Sequence, residues 1–456
     1  MPNVSDAESA VRLQQFFGLI GDELALPGRR ESFATYAMGI LGDAERKSAE
    51  PIAARACADP EGVDAAHQRL LHFISNSKWS DENVRLLAAA HALDAMLAHS
   101  PVETWIIDDT GFLKQGKHSV GVQRQYTGSA GKITNCQIGV SLSIATAGDH
   151  VPIDFQLYLP RSWTDSEKLR QQAHIPKKSA FRTKPELALA MLKRAVKQRL
   201  PRGVVLADAA YGTSVAFRDG IRKLHLNYAV GVDPKTTVWC VEGKALSEES
   251  ISLRDLAENI EADDGFRHST WRQGTKEDLT ARFATRRVVP AFDDPARPPH
   301  EREELWLLVE WRDGEPEPAN YFLSSMALRT SRKKLIHTVM QRWRTERASK
   351  TSRANSDSIT SRGAASQAGI ITSRSYSAAT RSSSPNVCGV FPPRRPGRIK
   401  TTRTPSRPER HFEDSFVTVR LAISRMLARW LPRCPVCHQR GHRVHSSTAP
   451  PRAVTQ

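Results

Sequence analysis

Two aspartates stand at the ends of short apolar runs, where a strand can hold a carboxylate rigidly for chemistry. Asp108 ends the run TWII and Asp208 ends the run VVLA, and both runs have the length and composition of buried β-strands. Carboxylates at neighbouring strand ends can share Mg²⁺, which prefers hard oxygen ligands. Two such ions about 4 Å apart activate a nucleophile and stabilise the leaving oxygen in phosphodiester chemistry. The two acids therefore indicate a metal site.

A third carboxylate usually completes such a pair of metal sites, and Glu346 is the candidate. It lies among Arg342, Arg344 and Arg347 in a segment that reads as a helix. Each acid also has a simpler interpretation. Asp108 before Thr-Gly could form a turn, Asp208 could cap the following helix, and Glu346 could be an ion-paired helix residue.

The elements that must position these acids alternate between strands and helices. Three strands come first, with residues 137–146 and 151–159 forming a hairpin after the Asp108 strand. Helices at 185–199 and 214–224 then alternate with strands at 204–208 and 228–232. This β-β-β-α-β-α-β order predicts a mixed α/β sheet with flanking helices.

The same patterns divide the whole chain into six parts. We expect a helical N-terminal domain at 1–100, the first part of a catalytic core at 101–232, a β-rich insertion at 233–330, a core helix carrying the Glu at 331–347, a disordered Ser/Arg/Pro-rich segment at 348–415, and a short helix with a basic tail at 416–456.

Charge is distributed unevenly along the chain. It has 66 basic and 49 acidic residues, and from Arg347 onward we count 20 basic and 4 acidic ones. A basic tail on a near-neutral body predicts a polyanionic partner such as nucleic acid. Six scattered cysteines do not form a disulfide framework, and no membrane segment or signal peptide is evident, so a cytoplasmic protein is expected.

Long stretches around the acids resemble a known family. The segments WIIDDTGFLKQGKHSVGVQRQYTGSAGKITNCQIGVSLSIAT, DFQLYLPRSWTD, FRTKPELAL and VVLADAAYG resemble the DDE-superfamily transposases of bacterial insertion sequences, in the branch with a strand-rich insertion before the Glu. The resemblance runs from about Arg29 to Arg347. It implies an RNase H-like fold, two Mg²⁺ or Mn²⁺ ions, and DNA strand cleavage followed by 3′-OH strand transfer.

The resemblance also implies roles for single residues. Asp108, Asp208 and Glu346 would be the catalytic metal ligands, with Asp109 as the alternative to Asp108. It further implies double-stranded DNA as partner, a homodimer on DNA and a place near the nucleoid. The residues expected to contact DNA are Lys114, Lys117, Arg124, Arg342 and Arg353.

The chain departs from the family after Arg347. Val339 and Arg353 stand where the family's third motif has Tyr and Lys, and residues 348 to about 390 read like a different frame. Paired frameshifts would leave Glu346 poorly supported, which predicts little or no transposition activity. Two other functions stay open: a catalytically dead DNA-binding remnant, and an RNase H-like nuclease without strand transfer. Cys434 and Cys437, with histidines nearby, leave zinc binding open as well.

Overall fold

The computed structural model describes residues 6–41, 47–57, 59–176, 179–273, 278–291, 298 and 302–343. They form two compact units that divide between Ser80 and Asp81. No helix in the described part of the chain is both long and apolar enough to cross a membrane. The expectations for residues 348–456, including the disordered segment, the tail helix and the zinc ligands, lie outside the described residues.

The first unit is helical, as the sequence predicts. Its helices are α1 (Asp6–Leu24), α2 (Pro27–Leu41), α3 (Ala49–Ala56) and α4 (Val63–Ser75), with a 3₁₀ turn at Pro60–Gly62. Phe16 and Phe33 are fully buried, and the rings of Phe17 and Phe33 meet edge to face at 5.8 Å. Aromatic burial of this kind supplies much of the stability of a small helical unit.

The second unit contains helices on a large sheet. Its helices are α5 (Asp81–Leu97), α6 (Arg161–Thr164), α7 (Glu167–Gln172), α8 (Lys184–Lys197), α9 (Ala209–Gly212), α10 (Val215–Lys223), α11 (Leu253–Ala262) and α12 (Arg332–Met340). Its strands are β1 (Val102–Leu113), β2 (Gln123–Thr127), β3 (Lys132–Thr146), β4 (His150–Leu157), β5 (Val204–Ala207), β6 (Tyr228–Gly231), β7 (Thr237–Glu242), β8 (Ala245–Leu246), β9 (Ile251–Ser252), β10 (Arg267–Gln273), β11 (Asp278–Pro290), β12 (Leu305–Trp311) and β13 (Asn320–Ser324).

The first half of the sheet confirms the expected RNase H-like mixed arrangement. Strands β1, β3 and β4 are antiparallel neighbours, and β5 and β6 continue from β1 as parallel strands. Helix α8 provides the crossover from the antiparallel strands to β5, and α9 and α10 provide the crossover from β5 to β6. In such a topology the carboxyl ends of β1 and β5 lie at one edge, where ligands usually bind.

The β-rich residues after β6 extend this sheet. Strand β13 pairs antiparallel with β6, and β12, β11 and β7 follow in that order. The core reflects the continuity, because Ile106 of β1 and Phe283 of β11 belong to one buried cluster with Leu335 of α12. The strands of the insertion therefore support the same helix as the first half of the sheet.

Three elements differ from the sequence-based expectation. Helix α5 belongs to the sheet-bearing unit, whereas the sequence places the end of the N-terminal domain near residue 100. Its Arg85 donates to Asp154 of β4 at 2.9 Å, a long-range contact without a local signal. Strand β2 and helix α11 were not predicted, since β2 is short and polar and α11 lies inside a strand-rich region.

Candidate active site

Asp108 lies in the middle of β1, on the face of the sheet that carries α12. Side chains alternate along a strand, so Ile106 and Asp108 point to the same side. Ile106 packs in the buried cluster with Leu335 and Val339 of α12. Asp108 pairs with Ser141 of β3, whose hydroxyl donates to the Asp108 backbone carbonyl at 3.3 Å. Asp108 is therefore a strand residue and does not form the turn that was its alternative interpretation.

Asp208 follows β5 directly and lies at the same edge of the sheet as Asp108. The parallel register pairs Ile106 with Leu206, and two further residues along each strand lead to Asp108 and Asp208. Asp208 also caps α9, because its Oδ1 accepts the backbone N–H of Ala210 at 3.0 Å. The interpretation of Asp208 as a helix cap is thus confirmed, and this hydrogen bond fixes the direction of its carboxylate.

Two glycines let the Asp208 turn pack closely on β6. A Cβ on Gly212 would lie 2.0 Å from the carbonyl oxygen of Gly231, and a Cβ on Gly231 would lie 2.8 Å from the backbone nitrogen of Ala209. No side chain fits at such separations. The DAAYG segment therefore needs Gly212 for the position of Asp208 at the sheet edge.

Burial and charge act together on the two acids. The pKa of Asp108 is raised from 3.8 to about 7, mainly by burial; the charge of Arg342 opposes this rise, and the charges of Asp109 and Asp208 add to it. Burial also raises the pKa of Asp208, the charge of Arg342 opposes that rise, and the charge of Asp109 adds to it. Acids that are buried beside each other are destabilised as anions, and a bound cation relieves that cost. The pair is suited to holding a positively charged ligand.

Asp109 points to the opposite face of β1, toward α8. Lys184, the first residue of α8, donates from Nζ to Asp109 Oδ2 at 2.7 Å. Tyr211 of α9 is fully buried, and its pKa is raised by burial and then by Asp109, Asp208 and Asp108. Its hydroxyl lies near Asp109 without reaching full hydrogen-bond geometry with any described residue. Sequence reasoning missed both residues, because nothing local marks a contact across elements.

Arg342 belongs to the site, whereas two other predicted residues lie outside the described part. Within the predicted helix 331–347, α12 spans Arg332–Met340, a turn follows in which Arg342 N–H donates to the Val339 carbonyl at 3.3 Å, and Trp343 is helical again. Arg342 acts electrostatically on both Asp108 and Asp208. Glu346 and Arg353 lie beyond residue 343, the last described residue.

The carboxylate pair fits a divalent ion in part. Asp108 and Asp208 supply hard oxygen donors at one edge, as Mg²⁺ requires. The described residues include no group of three His, Cys, Asp or Glu side chains that could hold a metal ion. A complete site would need a further ligand, which the expectation assigns to Glu346.

The predicted DNA contacts near β1 lie on or next to the hairpin of β2 and β3. Lys117 and Arg124 are exposed, while Lys114 is half-buried. Within the described residues, neither Lys117 nor Arg124 forms an ion pair with a carboxylate. Tyr126 and Ile133, cross-strand partners on this hairpin, are 62% and 61% exposed and were not singled out from the sequence.

Comparison with known proteins places these features in a family. A family model described as "DDE superfamily endonuclease" matches residues 22–278, which is more than half of the chain and includes Asp108 and Asp208. The enzymes of this superfamily generally use divalent metal ions.

One curated relative is similar over part of its length. It is the "Probable transposase for insertion sequence element IS701" of Microchaete diplosiphon, 32% identical over 203 residues. The match covers 44% of this chain and 48% of that protein, so it spans about half of the relative. On the strength of the family match, the chain belongs to the DDE superfamily of endonucleases.

Proposed function

We propose that this protein is a DNA transposase of a bacterial insertion sequence. It would cut a DNA strand in a metal-dependent step and then use the freed 3′-OH to attack target DNA. The observation that carries the proposal is the half-buried pair of Asp108, in the middle of β1, and Asp208, directly after the neighbouring strand β5. The similarity to a probable insertion-sequence transposase gives the pair its biological setting.

The proposed site uses Asp108, Asp208 and Glu346 as ligands for two Mg²⁺ or Mn²⁺ ions. Such ions activate the attacking oxygen and stabilise charge on the leaving one. Asp208 is oriented by the N-terminus of α9, so its carboxylate is fixed before any ligand arrives. Partial burial of Asp108 strengthens the electrostatic contacts within the site.

Arg342 has a separate role in the proposal. Its positive charge opposes the rise in the pKa of Asp108 and of Asp208, and so favours their ionised forms. A DNA phosphate brings further negative charge to this edge, and a guanidinium binds phosphate oxygens well. Arg342 would hold the phosphate beside the carboxylates, and Arg353 is the second arginine proposed to contact DNA near this site.

Double-stranded DNA is the proposed partner, with the β2–β3 hairpin as one contact. No acidic residue occurs from Thr110 to Gly148, while the same stretch holds Lys114, Lys117, Arg124 and Lys132. Basic residues without acidic neighbours attract phosphates at any DNA sequence. Recognition of two element ends by a homodimer follows from the proposed reaction.

A catalytically dead DNA-binding remnant is the second candidate. The observation in its favour is the sequence after Arg347, which departs from the family where Glu346 needs a supporting helix. Such a protein would retain the basic hairpin and tail and would occupy element ends without cutting them.

Cleavage and joining of DNA separate the candidates. The chain and a version with the family-like reading frame restored between codons 348 and 390 would be incubated with DNA carrying the ends of its own element, in Mg²⁺. Cutting followed by joining of 3′ ends supports a transposase. Cutting without joining indicates a nuclease, and binding without cutting by either version indicates a remnant.

A further inference from the structure

The two adjacent acidic residues in the middle of β1, Asp108 and Asp109, differ in their surroundings. Asp108 shares its face of the sheet with α12 and acts on Asp208 and Arg342. Asp109 forms an ion pair with Lys184 at 2.7 Å, with the side chains 20% and 26% exposed. Adjacent residues of a strand point to opposite faces of the sheet. The Asp108 and Asp109 carboxylates therefore cannot both face the same ligand.

We infer that Asp109 is a positioning residue, held by Lys184 and faced by the Tyr211 hydroxyl, and that this trio keeps the neighbouring Asp108 carboxylate directed toward Asp208. The inference rests on the proposed function, because it takes Asp108 and Asp208 as the metal-binding pair. It goes further by assigning roles to Lys184 and Tyr211 and by excluding Asp109 as a ligand.

Lys184 is well placed to hold Asp109 of β1. Thr183 and Glu186 form a reciprocal capping box at the start of α8, so the backbone of Lys184 is fixed. Its Nζ reaches from α8 to Asp109 on β1, and charge-assisted hydrogen bonds of this length are strong when both groups are partly buried. The contact compensates the charge of Asp109 and holds its carboxylate on the α8 side of the sheet.

Tyr211 of α9 approaches the same residue, Asp109. It lies three residues after Asp208 and is fully buried, and its hydroxyl has no hydrogen bond to a described residue. Buried hydroxyls are nearly always satisfied, so one that faces three carboxylates without full bonding needs a reason. Asp109 is the carboxylate that acts on it most strongly. The hydroxyl is thus placed to donate to Asp109.

The register of the sheet opposes the alternative in which Asp109 is the ligand. Asp108 pairs with Ser141 and Asp109 with Val140 in a ladder that continues without a shift from Thr104 to Leu113. Turning Asp109 toward the α12 face would require a slip of one residue, which would also move Ile106 out of the core. The ladder therefore fixes which acid faces α12.

Mn²⁺ binding to the full chain tests the inference without relying on cleavage activity. Mn²⁺ affinity would be measured by electron paramagnetic resonance for Asp108→Asn, Asp208→Asn, Asp109→Asn, Lys184→Met and Tyr211→Phe, each with its melting temperature. Groups that orient a metal ligand typically change metal affinity by about 10- to 100-fold. We expect a loss of that size for Asp109→Asn, Lys184→Met and Tyr211→Phe, and a larger loss for Asp108→Asn.

Two further variants separate positioning from general stability. Lys184→Arg keeps the charge and should recover most of the affinity that Lys184→Met loses. Lys193→Met removes an exposed lysine on the same helix and should change nothing. Tyr211→Phe should weaken Mn²⁺ binding. It should leave the melting temperature within about 2 °C, because the substitution removes no complete hydrogen bond to a described residue.

Three outcomes would overturn the inference. If Asp109→Asn abolishes Mn²⁺ binding as fully as Asp108→Asn, Asp109 is itself a ligand. If the trio variants bind Mn²⁺ like the wild type, the trio serves only the fold. If Asp108→Asn and Asp208→Asn both bind Mn²⁺ like the wild type, the proposed function fails, and the inference fails with it.

Discussion

At the scale of single residues, the site is defined by acids whose charge is costly. Asp108 is a largely buried carboxyl group near two other acids, and its pKa rises to about 7. An ordinary surface aspartate at neutral pH would be fully ionised and stable without a partner. Ionising Asp108 therefore costs free energy, and Asp108 is a residue proposed to bind metal. Such costs are common at functional sites.

The first prediction concerns the pH dependence of stability. The folded pKa of Asp108 is raised, so the folded state binds the proton more tightly, and stability is lost as pH rises from about 4 to about 7. Asp108→Asn removes the titrating group. In chelator, this variant should be more stable than the wild type at pH 8, by at most about 4 kcal/mol.

Urea unfolding midpoints from pH 5 to 8 check this expectation. The difference between variant and wild type should shrink as the pH falls toward 5, where Asp108 is mostly protonated in the folded state. A difference that stays constant across the range would show that Asp108 does not titrate there.

At the scale of elements, the sequence predicted most strands of the core but few of their long-range contacts. The hairpin of β3 and β4 and the strand β5 are apolar enough to be recognised locally. The attachment of α5 to β4 depends on Arg85 meeting Asp154, which lies 69 residues away, and no local pattern encodes that contact. Likewise, Lys184 and Tyr211 come from different helices and meet only in the folded chain.

The second prediction tests the contacts that hold α5 and α8 to the sheet. Asp154 accepts from Arg85 at 2.9 Å and from Arg194 at 2.6 Å, and its side chain is only 14% exposed. Asp154→Asn removes the partner of Arg194 and leaves Arg85 with only Asp81 of its own helix, at a cost of roughly 3 kcal/mol. The measurement is the urea midpoint of the variant.

The control for Asp154 is an exposed ion pair in the same unit. Asp264 is 95% exposed beside Arg267, and its backbone has a positive φ that asparagine tolerates. Asp264→Asn should cost less than about 1 kcal/mol. Equal losses for the two variants would argue against a role for Asp154 in joining the helices to the sheet.

The third prediction concerns the β2–β3 hairpin as a DNA-binding surface. Replacing Lys117, Arg124 and Lys132 with Gln should reduce the slope of log affinity against log salt by up to about 2.7, or about 0.9 for each phosphate that the variant no longer neutralises. Binding to a duplex of arbitrary sequence would be measured across a salt series. The matched control replaces Lys193, Lys197 and Lys223, which are exposed on α8 and α10. An equal change in both triple variants would mean that the hairpin has no special part.

At the scale of the whole molecule, charge and reading frame decide what the protein can do. The sequence predicts the basic C-terminal region and the family, because composition and long motifs can be recognised in the sequence without a structure. It could not predict the turn that interrupts the helix after Met340, since the apolar pattern continues through Trp343, which is helical again. The position of Glu346 depends on the residues beyond that turn.

The fourth prediction is that most sequence-independent DNA affinity resides after residue 387. That region holds 14 basic and 3 acidic residues. Removing residues 387–456 should lower affinity and flatten its salt dependence, because fewer counterions are released. A chain of unchanged length with the arginines of this region replaced by Gln should behave like the deletion. An unchanged salt slope would show that the region is only solvated.

The most direct test of the central claim is DNA cleavage in Mg²⁺ by the frame-restored chain, with and without Asp108→Asn. A helix that continues past Arg347 should place Glu346 beside Asp108 and Asp208, and a misplacement of about 1 Å can cost on the order of a hundredfold in rate. We predict that the frame-restored chain cuts the ends of its element, that the chain as written cuts them at least about a hundredfold more slowly, and that Asp108→Asn abolishes cutting. Equal cutting by the frame-restored chain with and without Asp108→Asn would contradict the assignment of this site.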